Sequence, residues 1–295
     1  MIIKPDAIEA SVQRLAAFSV EGHGGNPAGV VICDELPASE AMQQVAAKVG
    51  FSETVFAAPS EDGYSVRYFA PNAEISFCGH ATIALGAALA KAGVTKPVDL
   101  KLNDGSAVVQ GSADMDGLRA TLWSAPTRHE PTQPELLDRA LRLFGIESTD
   151  LDDRYPPAII EAGARHLLLC LQDRSQLAKM NYDMELGAVL MREWHLATVS
   201  LVQQETDRRF HSRNAFAAGG VYEDPATGAA AAALVAYLAE CGHPTSEIEV
   251  HQGYDMGTPC VLYARAPARV GGRAEVCGAV RTMEKFITAS AIQTN

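Results

Sequence analysis

The feature that most constrains the fold of this 295-residue chain is a twenty-residue segment that occurs twice. Residues 74–93 and 223–242 align without a gap at an offset of 149 residues, and nine of the twenty positions are identical. Two Ala-rich helices could match in this way by composition alone. Composition does not explain, however, why one Glu and two Gly recur at the same offset. The repeat therefore predicts two strand–turn–helix units in two similar lobes that face each other.

The two repeated helices are expected to begin near Gly79 and Gly228, directly after their turns. Backbone N–H groups at a helix start have no partner within the helix and carry a partial positive charge. If the lobes face each other, both helix starts point into one shared cleft. There they can hold an anion such as a carboxylate.

Composition excludes several classes of partner. The formal net charge of −12 argues against nucleic acid or an anionic membrane surface, although a local site can still bind a small anion. No apolar stretch reaches the length of a membrane span without charges or Gly and Pro. The six cysteines show no CxxC spacing, and in a chain without a signal peptide they indicate reduced thiols in the cytoplasm.

The hydrophobic pattern predicts few long helices and many short strands. Helices are expected over Ser39–Val49 and over residues 79–92, 135–144 and 184–194, besides the second repeat. The strands between them are too numerous for a βαβ ladder, so the predicted class is α+β with mostly antiparallel or mixed sheets. Residues 124–134, rich in Pro and Thr, are the candidate linker between the lobes.

Both repeated turns carry residues with possible chemistry. Cys78 at a helix start is expected to have a lowered pKa and to act as a base or nucleophile, although a small buried cysteine that fills space is an equal alternative. His80 can bind a carboxylate or move a proton, unless it only bonds the backbone. At the second turn, Asp224 or Thr227 can cap the helix. Capping does not explain why the two turns share a Glu and a Gly.

Glu53 lies between a predicted helix and a predicted strand, with Phe51, Val55 and Phe56 around it. Apolar neighbours that desolvate a carboxyl group raise its pKa toward the range useful for acid–base catalysis. A Glu that points to solvent is the alternative, and the sequence alone favours it. The eight histidines show no metal-binding spacing, and no dinucleotide loop, Walker loop or GxSxG motif is present.

Six short motifs follow one another in a specific order between residues 25 and 257. They are Gly25-Asn26-Pro27-Ala28-Gly29-Val30, Phe51-Ser52-Glu53-Thr54, Arg67-Tyr68-Phe69-Ala70-Pro71, Glu74 with Cys78-Gly79-His80-Ala81-Thr82, Glu223-Asp224-Pro225-Ala226-Thr227-Gly228, and His251-Gln252-Gly253 with Met256-Gly257. In this order they resemble the PhzF-like isomerases of phenazine biosynthesis, a family related to diaminopimelate epimerase.

The resemblance implies the diaminopimelate-epimerase-like fold. That fold has two pseudo-symmetric lobes, each a curved sheet or barrel around a central helix, with the active site between them. It implies a first lobe over residues 1–125, a second over residues 126–277, and a final strand over residues 278–290 that crosses back to the first lobe. It also implies activity without pyridoxal phosphate, metal or another cofactor, and a homodimer.

The resemblance also assigns roles by position. Glu53 matches the catalytic acid/base of the family, and His80 and Asp224 match its other polar active-site residues. Cys78 falls where the related epimerases and racemases have one of their two catalytic cysteines. Thr227 replaces the second, so a symmetric reaction with two thiols is not expected.

Two positions depart from the family pattern. Ala229 stands where the family often has Ser after Thr-Gly, and Thr258 stands where it often has Arg after Met-Gly. Both changes are expected to alter how a substrate is held, so the resemblance implies no particular substrate.

The first hypothesis is a cofactor-independent isomerase in which Glu53 moves a proton within a small carboxylate-bearing metabolite. The residues predicted to bind the substrate are Cys78, Gly79, His80, Asp224, Thr227 and Gly228. One alternative is a racemase, epimerase or dehydratase that uses Cys78 with Thr227. The other is a non-catalytic protein of the same fold that binds a small molecule or a protein, which Ala229 in place of Ser would favour.

Overall fold

A computed structural model of the chain describes residues 5–103 and 105–283. Its α-helices are α1 (Pro5–Ser11), α2 (Ser39–Val49), α3 (Gly79–Lys91), α4 (Pro134–Phe144), α5 (Arg174–Ala178), α6 (Met184–Glu193) and α7 (Gly228–Glu240). Its strands are β1 (Gln13–Ala17), β2 (Asn26–Ile32), β3 (Glu53–Ser60), β4 (Gly63–Phe69), β5 (Glu74–Ile75), β6 (Val98–Lys101), β7 (Ser106–Asp114), β8 (Gly117–Pro126), β9 (Arg128–Pro131), β10 (Ala158–Glu161), β11 (Arg165–Leu171), β12 (Thr198–Gln204), β13 (Arg209–Ala215), β14 (Glu223–Asp224), β15 (Glu247–Gln252), β16 (Cys260–Arg265) and β17 (Arg273–Thr282).

The first lobe is a closed barrel of eight strands. Their order around the barrel is β1, β2, β3, β4, β6, β7, β8 and β17, and β17 pairs back with β1. The pairs β2–β3 and β4–β6 are parallel, and the other pairs are antiparallel. Closure of the barrel removes the unpaired edges that an open sheet would present.

The second lobe repeats this arrangement. Strands β10, β11, β12, β13, β15, β16 and β17 pair in succession, and β9 extends the sheet beyond β10. Again two pairs, β11–β12 and β13–β15, are parallel. The lobes therefore correspond strand by strand. In order, β1, β2, β3, β4, β6, β7 and β8 correspond to β10, β11, β12, β13, β15, β16 and β17. Strand β17 is shared, because it pairs with β16 in the second lobe and with β8 and β1 in the first.

Each lobe encloses one of the two repeated helices. Every residue of α3 from His80 to Ala90 is buried, and α7 is buried along nearly its whole length. A helix inside a barrel has no solvent side, which is why both helices are apolar on all faces rather than amphipathic. The small residues allow close approach: a Cβ added to Gly111 of β7 would lie 2.0 Å from the carbonyl oxygen of Gly86 in α3.

The predicted architecture of two lobes, each with a barrel or curved sheet around a central helix, is confirmed, and so is the mixed α+β class. Helix α2 has the predicted bounds, and Gly50 ends it in the left-handed conformation at φ 72°. Five short elements, α1, α5, β5, β9 and β14, were not predicted. Elements of two to seven residues are too short for a hydrophobic period to show.

The segment predicted as a linker, residues 124–134, leads from β8 of the first lobe to β9 of the second, but it is mostly strand and not loop. Its first residues complete β8, and β9 pairs with β10. Between them, the backbone N–H and the hydroxyl of Thr127 both donate to the carbonyl oxygen of Gly272, at 2.9 and 3.0 Å. The Pro and Thr residues suggested a loop, but Pro is compatible with an edge strand such as β9.

The lobe boundary at residue 125 stays a prediction. Strand β17 begins at Arg273, earlier than the predicted start at residue 278, and residues 284–290 of the predicted strand lie outside the described residues. None of the described helices is both long and apolar enough to cross a membrane. All six cysteines lie among the described residues, and none of them is joined in a disulfide.

Candidate active site

The first turns of α3 and α7 touch each other between the lobes. A Cβ added to Gly79 would lie 3.7 Å from the Cα of Gly228. The prediction that both repeated helices begin at one cleft is therefore confirmed. Two helix N-termini side by side bring two partial positive charges together, and an anion bound there relieves their repulsion.

Matching Arg–Glu pairs hold the short strands that lead into these helices. In the first lobe, Arg67 of β4 donates to both carboxylate oxygens of Glu74 in β5. In the second lobe, Arg213 of β13 donates to both oxygens of Glu223 in β14, at 2.8 and 2.6 Å. The Glu that recurs in the two sequence segments is thus a structural residue in both lobes.

A cavity of about 610 Å³ opens in front of the two helix starts. This volume is in the range that suits a small metabolite. The residues that line it include all seven predicted site residues: Glu53, Cys78, Gly79, His80, Asp224, Thr227 and Gly228. Residues separated by up to 175 positions in the chain (from Glu53 to Gly228) therefore meet in one place.

Glu53 points into this cavity rather than into bulk solvent. It is the first residue of β3, and its side chain is 14% exposed. Its Oε2 lies 3.2 Å from Nε2 of His80, a side chain that is 6% exposed. The two groups are close but not aligned for a hydrogen bond, and Glu53 Oε2 has no hydrogen-bond partner among the described residues.

Cys78 precedes the first turn of α3 as its N-cap residue. Its Sγ lies 3.3 Å from Nδ1 of His80. Burial, and next the nearby Glu53 carboxylate, raise the pKa of the Cys78 thiol well above its ordinary value. The expected lowering of this pKa by the helix start is therefore wrong, because desolvation of the thiolate outweighs the helix dipole. At neutral pH the thiol is protonated.

Asp224 is held on both carboxylate oxygens. Asn26 Nδ2 donates to Oδ1 at 2.9 Å, and the Thr227 hydroxyl donates to Oδ2 at 2.7 Å. Gln252 completes the network, since its Nε2 donates to the Thr227 hydroxyl oxygen and to the Asp224 carbonyl oxygen. Its Oε1 accepts the Thr227 N–H at 3.2 Å. The Asp224 carboxylate is therefore fixed in position.

Opposing effects act on the charge of Asp224. Burial raises the pKa of its carboxyl group, and the nearby Glu53 carboxylate acts in the same direction. His80 and the hydrogen bond from Thr227 lower that pKa, but burial has the larger effect. Two carboxyl groups and one imidazole thus share a poorly hydrated space, which is typical of an acid–base site.

The same residues also offer a possible set of metal ligands. Glu53, Cys78 and His80 each place one ligand atom within 4.8 Å of the others. A protonated thiol is a poor ligand, and a metal ion there would have to displace its proton. The predicted absence of a metal requirement stays a prediction.

Some residues of the site were not predicted individually. Asn26 and Gln252 lie inside two of the recognised motifs, so the sequence did carry a signal for them. His166 and Thr198 also line the cavity, but no motif or spacing in the sequence marks either of them. Of the two positions that depart from the family pattern, Ala229 lines the cavity. Thr258 follows the loop that carries Met256, and its N–H donates to the Gly253 carbonyl oxygen at 2.9 Å.

Comparison with known proteins places the chain in a family. The model of the PhzC-PhzF family, described as phenazine biosynthesis-like protein, matches residues 15–284. An uncharacterized isomerase of Deinococcus radiodurans is 33% identical over 277 residues, which cover 89% of this chain and 88% of the relative. A trans-2,3-dihydro-3-hydroxyanthranilate isomerase of Pseudomonas chlororaphis is 32% identical over 280 residues, which cover 89% of this chain and 93% of the relative.

Solved structures agree with the fold. A predicted epimerase from Pseudomonas aeruginosa superposes with a TM-score of 0.80 at 22% identity, covering 92% of this chain and 96% of that one. A hydroxyproline epimerase from Agrobacterium vitis superposes with a TM-score of 0.61 at 13% identity, covering 92% and 90%. The diaminopimelate-epimerase-like fold is thereby confirmed. By its sequence match along nearly its whole length, the chain belongs to the PhzC-PhzF family and is an isomerase.

Proposed function

We propose that this isomerase works without a cofactor and moves a proton from one carbon to another within a small carboxylate-bearing substrate. Glu53 takes the proton and returns it. The observation that carries this proposal is the hydrogen bonding of the three carboxyl groups that line the cavity, because among the described residues only Glu53 of these three has a buried oxygen without a hydrogen-bond partner.

The hydrogen bonds distinguish the three carboxylates. Both oxygens of Glu223 accept hydrogen bonds from Arg213. Both oxygens of Asp224 accept hydrogen bonds, from Asn26 and from Thr227. Glu53 Oε2, in contrast, has no hydrogen-bond partner in the described part of the chain. A general base must have a lone pair within reach of the proton that it removes, and no hydrogen bond competes for the lone pairs of Glu53 Oε2.

The helix starts supply the binding site for the substrate carboxylate. The N–H groups at the start of α3 and α7 lie side by side at the cavity, with Gly79 and Gly228 in contact. Proton removal next to a carboxylate builds negative charge in the transition state, and fixed N–H dipoles stabilise such charge. His80 lies beside Glu53 and Cys78, and it orients the base and hydrogen-bonds to the substrate. Closure of the lobes around the substrate excludes water and strengthens these contacts.

Isotope exchange tests this function directly. The probe is trans-2,3-dihydro-3-hydroxyanthranilate, the compound after which several relatives are named. In D₂O we expect a product with a shifted double bond and at most one deuterium on carbon, observed by NMR and mass spectrometry. The same rate after dialysis against a chelator is expected if no metal takes part. Binding of the probe without conversion or exchange would contradict the proposed function.

Cys78 supports a second candidate, a thiol-based racemase, epimerase or dehydratase. Its Sγ lines the cavity and lies 3.3 Å from the His80 imidazole, which could accept the thiol proton. The neutral thiol and Thr227 in place of a second cysteine weigh against it. An inverted stereocentre in the product, with the double bond unmoved, would favour this candidate over proton transfer between carbons.

Replacement of Cys78 by alanine separates the two mechanisms. If Glu53 carries the proton, we expect Cys78→Ala to retain turnover to within a few-fold, since the thiol then takes no part in the proton transfer. The measurement is kcat with the probe above. Complete loss of kcat in Cys78→Ala, with folding intact by circular dichroism, would make the thiol the reacting group.

Replacement of Asp224 by asparagine tests the binding role of the fixed carboxylate. The change keeps the shape but removes the charge and disturbs the hydrogen bonds with Asn26 and Thr227. We therefore expect KM to rise and kcat to fall together, each by about 10-fold or more, since a hydrogen bond to a charged group contributes about 1.5–3 kcal/mol. His80→Asn is expected to behave in the same way. A loss confined to kcat would contradict a binding role.

A further inference from the structure

His166 of the second lobe lines the same cavity and has a buried polar atom without a hydrogen-bond partner among the described residues. It is the second residue of β11, it lines the cavity, and it is only 1% exposed. Its Nε2 is buried and makes no hydrogen bond with any described residue. A buried polar atom without a partner is unfavourable, so a native protein is expected to satisfy it with water or a ligand.

A chain of hydrogen bonds links the tautomer of this imidazole to the orientation of the Asn214 amide. In the orientation that the structure has, Asn214 Nδ2 donates to Ser212 Oγ at 3.2 Å, and Oδ1 faces Thr198 and accepts its hydroxyl proton at 3.3 Å. The Thr198 oxygen lies 2.8 Å from His166 Nδ1 and, having used its proton, must accept from Nδ1–H. Nε2 therefore has a free lone pair and is an acceptor.

Burial keeps this imidazole neutral. Desolvation lowers the pKa of His166 to about 4. At neutral pH the ring therefore has one proton, on Nδ1, and Nε2 stays an acceptor. It suits a hydroxyl or amino group of a ligand, and it does not suit a carboxylate, which brings only acceptors.

The pseudo-symmetry of the lobes gives an independent reason to assign a role to this cluster. Glu53 is the first residue of β3, and Thr198 is the first residue of the corresponding strand β12. Their partners in the adjacent parallel strands are Ala28 and His166. In the first lobe this position therefore holds the Glu53 carboxylate beside Ala28. In the second lobe the equivalent position holds the Thr198 hydroxyl beside the His166 imidazole, on the same cavity.

We propose that His166 is a specificity-determining residue that accepts a hydrogen bond from a hydroxyl or amino group of the substrate, with Thr198 and Asn214 as positioning residues that hold it in the acceptor form. This role rests on the proposed function in one respect, namely that the ligand of the cavity is the substrate. A hydrogen bond to His166 would restrict the substrates to carboxylates that also carry a hydroxyl or amino group as a donor.

The tautomer of His166 is measured by NMR on ¹⁵N-histidine-labelled protein, with the His166 signal assigned by its absence in His166→Phe. We expect the proton on Nδ1 at neutral pH, and in Thr198→Val we expect a shift toward the Nε2-protonated form. A wild-type imidazole protonated on Nε2 would overturn the acceptor role.

Selectivity is measured by calorimetric titration with three probes: benzoate, anthranilate and 3-hydroxyanthranilate. We expect the wild type to bind at least one donor-bearing probe about 3- to 10-fold more tightly than benzoate, as a single neutral hydrogen bond allows. In His166→Phe the ratio should fall to about 1 with benzoate affinity retained. Thr54→Val is the matched control, because Thr54 Oγ1 is also buried without a described partner but does not line the cavity.

Three results would overturn the role of His166: a ratio near 1 in the wild type, a ratio retained in His166→Phe, or no binding of any of the three probes. Because these titrations need no turnover, they are independent of the isotope experiment. If proton exchange is observed but selectivity does not depend on His166, only the specificity role is contradicted. If selectivity is observed without any proton exchange, only the proposed isomerisation is contradicted.

Discussion

Replacing Glu53 with glutamine is expected to reduce turnover by about 10²–10⁴-fold, the usual contribution of one positioned general base. Glutamine keeps the size of the side chain and most of its packing, but its amide cannot take a proton from carbon at neutral pH. The effect should fall on kcat, since the helix starts and Asp224 that hold the substrate are unchanged. The measurement is kcat and KM with trans-2,3-dihydro-3-hydroxyanthranilate, together with deuterium exchange.

The control for this variant is ligand binding. A substrate or product analogue should bind Glu53→Gln with an affinity close to that of the wild type, because the carboxylate site is intact. Joint loss of binding and turnover would show that Glu53 holds the substrate instead. An active Glu53→Gln beside an inactive Cys78→Ala would reverse the roles and make the enzyme thiol-based.

Replacing Arg213 with methionine is expected to lower the free energy of unfolding by about 3–5 kcal/mol, the usual cost of breaking a buried ion pair. The side chains of Arg213 and Glu223 are 9% and 5% exposed, so the remaining Glu223 carboxylate would be buried without its partner. Arg213 Nη1 also donates to the Ala178 carbonyl oxygen at 3.0 Å, and that contact is lost as well. Denaturant unfolding followed by circular dichroism measures the change.

Pseudo-symmetry provides a matched control in the same protein. Arg67 and Glu74 form the equivalent pair in the first lobe, but their side chains are 21% and 28% exposed. Because water reaches the remaining Glu74, Arg67→Met should cost only about 1–2 kcal/mol. Equal losses for the two variants would contradict burial as the cause. Adding Glu223→Gln to Arg213→Met should recover part of the loss, because the unpaired charge is then gone.

The site shows why an ordinary sequence rule failed at Cys78. A helix start lowers the pKa of a thiol when water or a cation also stabilises the thiolate. Here the thiol is buried and the Glu53 carboxylate lies nearby, so its pKa is raised. Exposure and neighbouring charge decide the sign of such a shift, and both come from parts of the chain that are distant in sequence.

The sequence by itself determined those features that depend on neighbours along the chain. The bounds of α2 follow from an apolar period that Gly50 ends, and the repeat at 149 residues predicts two equivalent helices that begin at one cleft. The ordered motifs identify the family and place Glu53, His80 and Asp224 in the site. Each of these conclusions rests on a pattern within a short segment or on its recurrence.

Only the tertiary structure decided which side chains meet and in what state. Asn26 holds Asp224 across 198 positions of sequence, and His166 meets Thr198 across 32. The structure also explained the repeated Glu, because Glu74 pairs with Arg67 and Glu223 pairs with Arg213. Hydrogen bonds and desolvation act over a few ångströms in space, whereas a sequence pattern records only separation along the chain. Spatial neighbours therefore decide that Glu53 Oε2 and His166 Nε2 have no hydrogen-bond partner among the described residues.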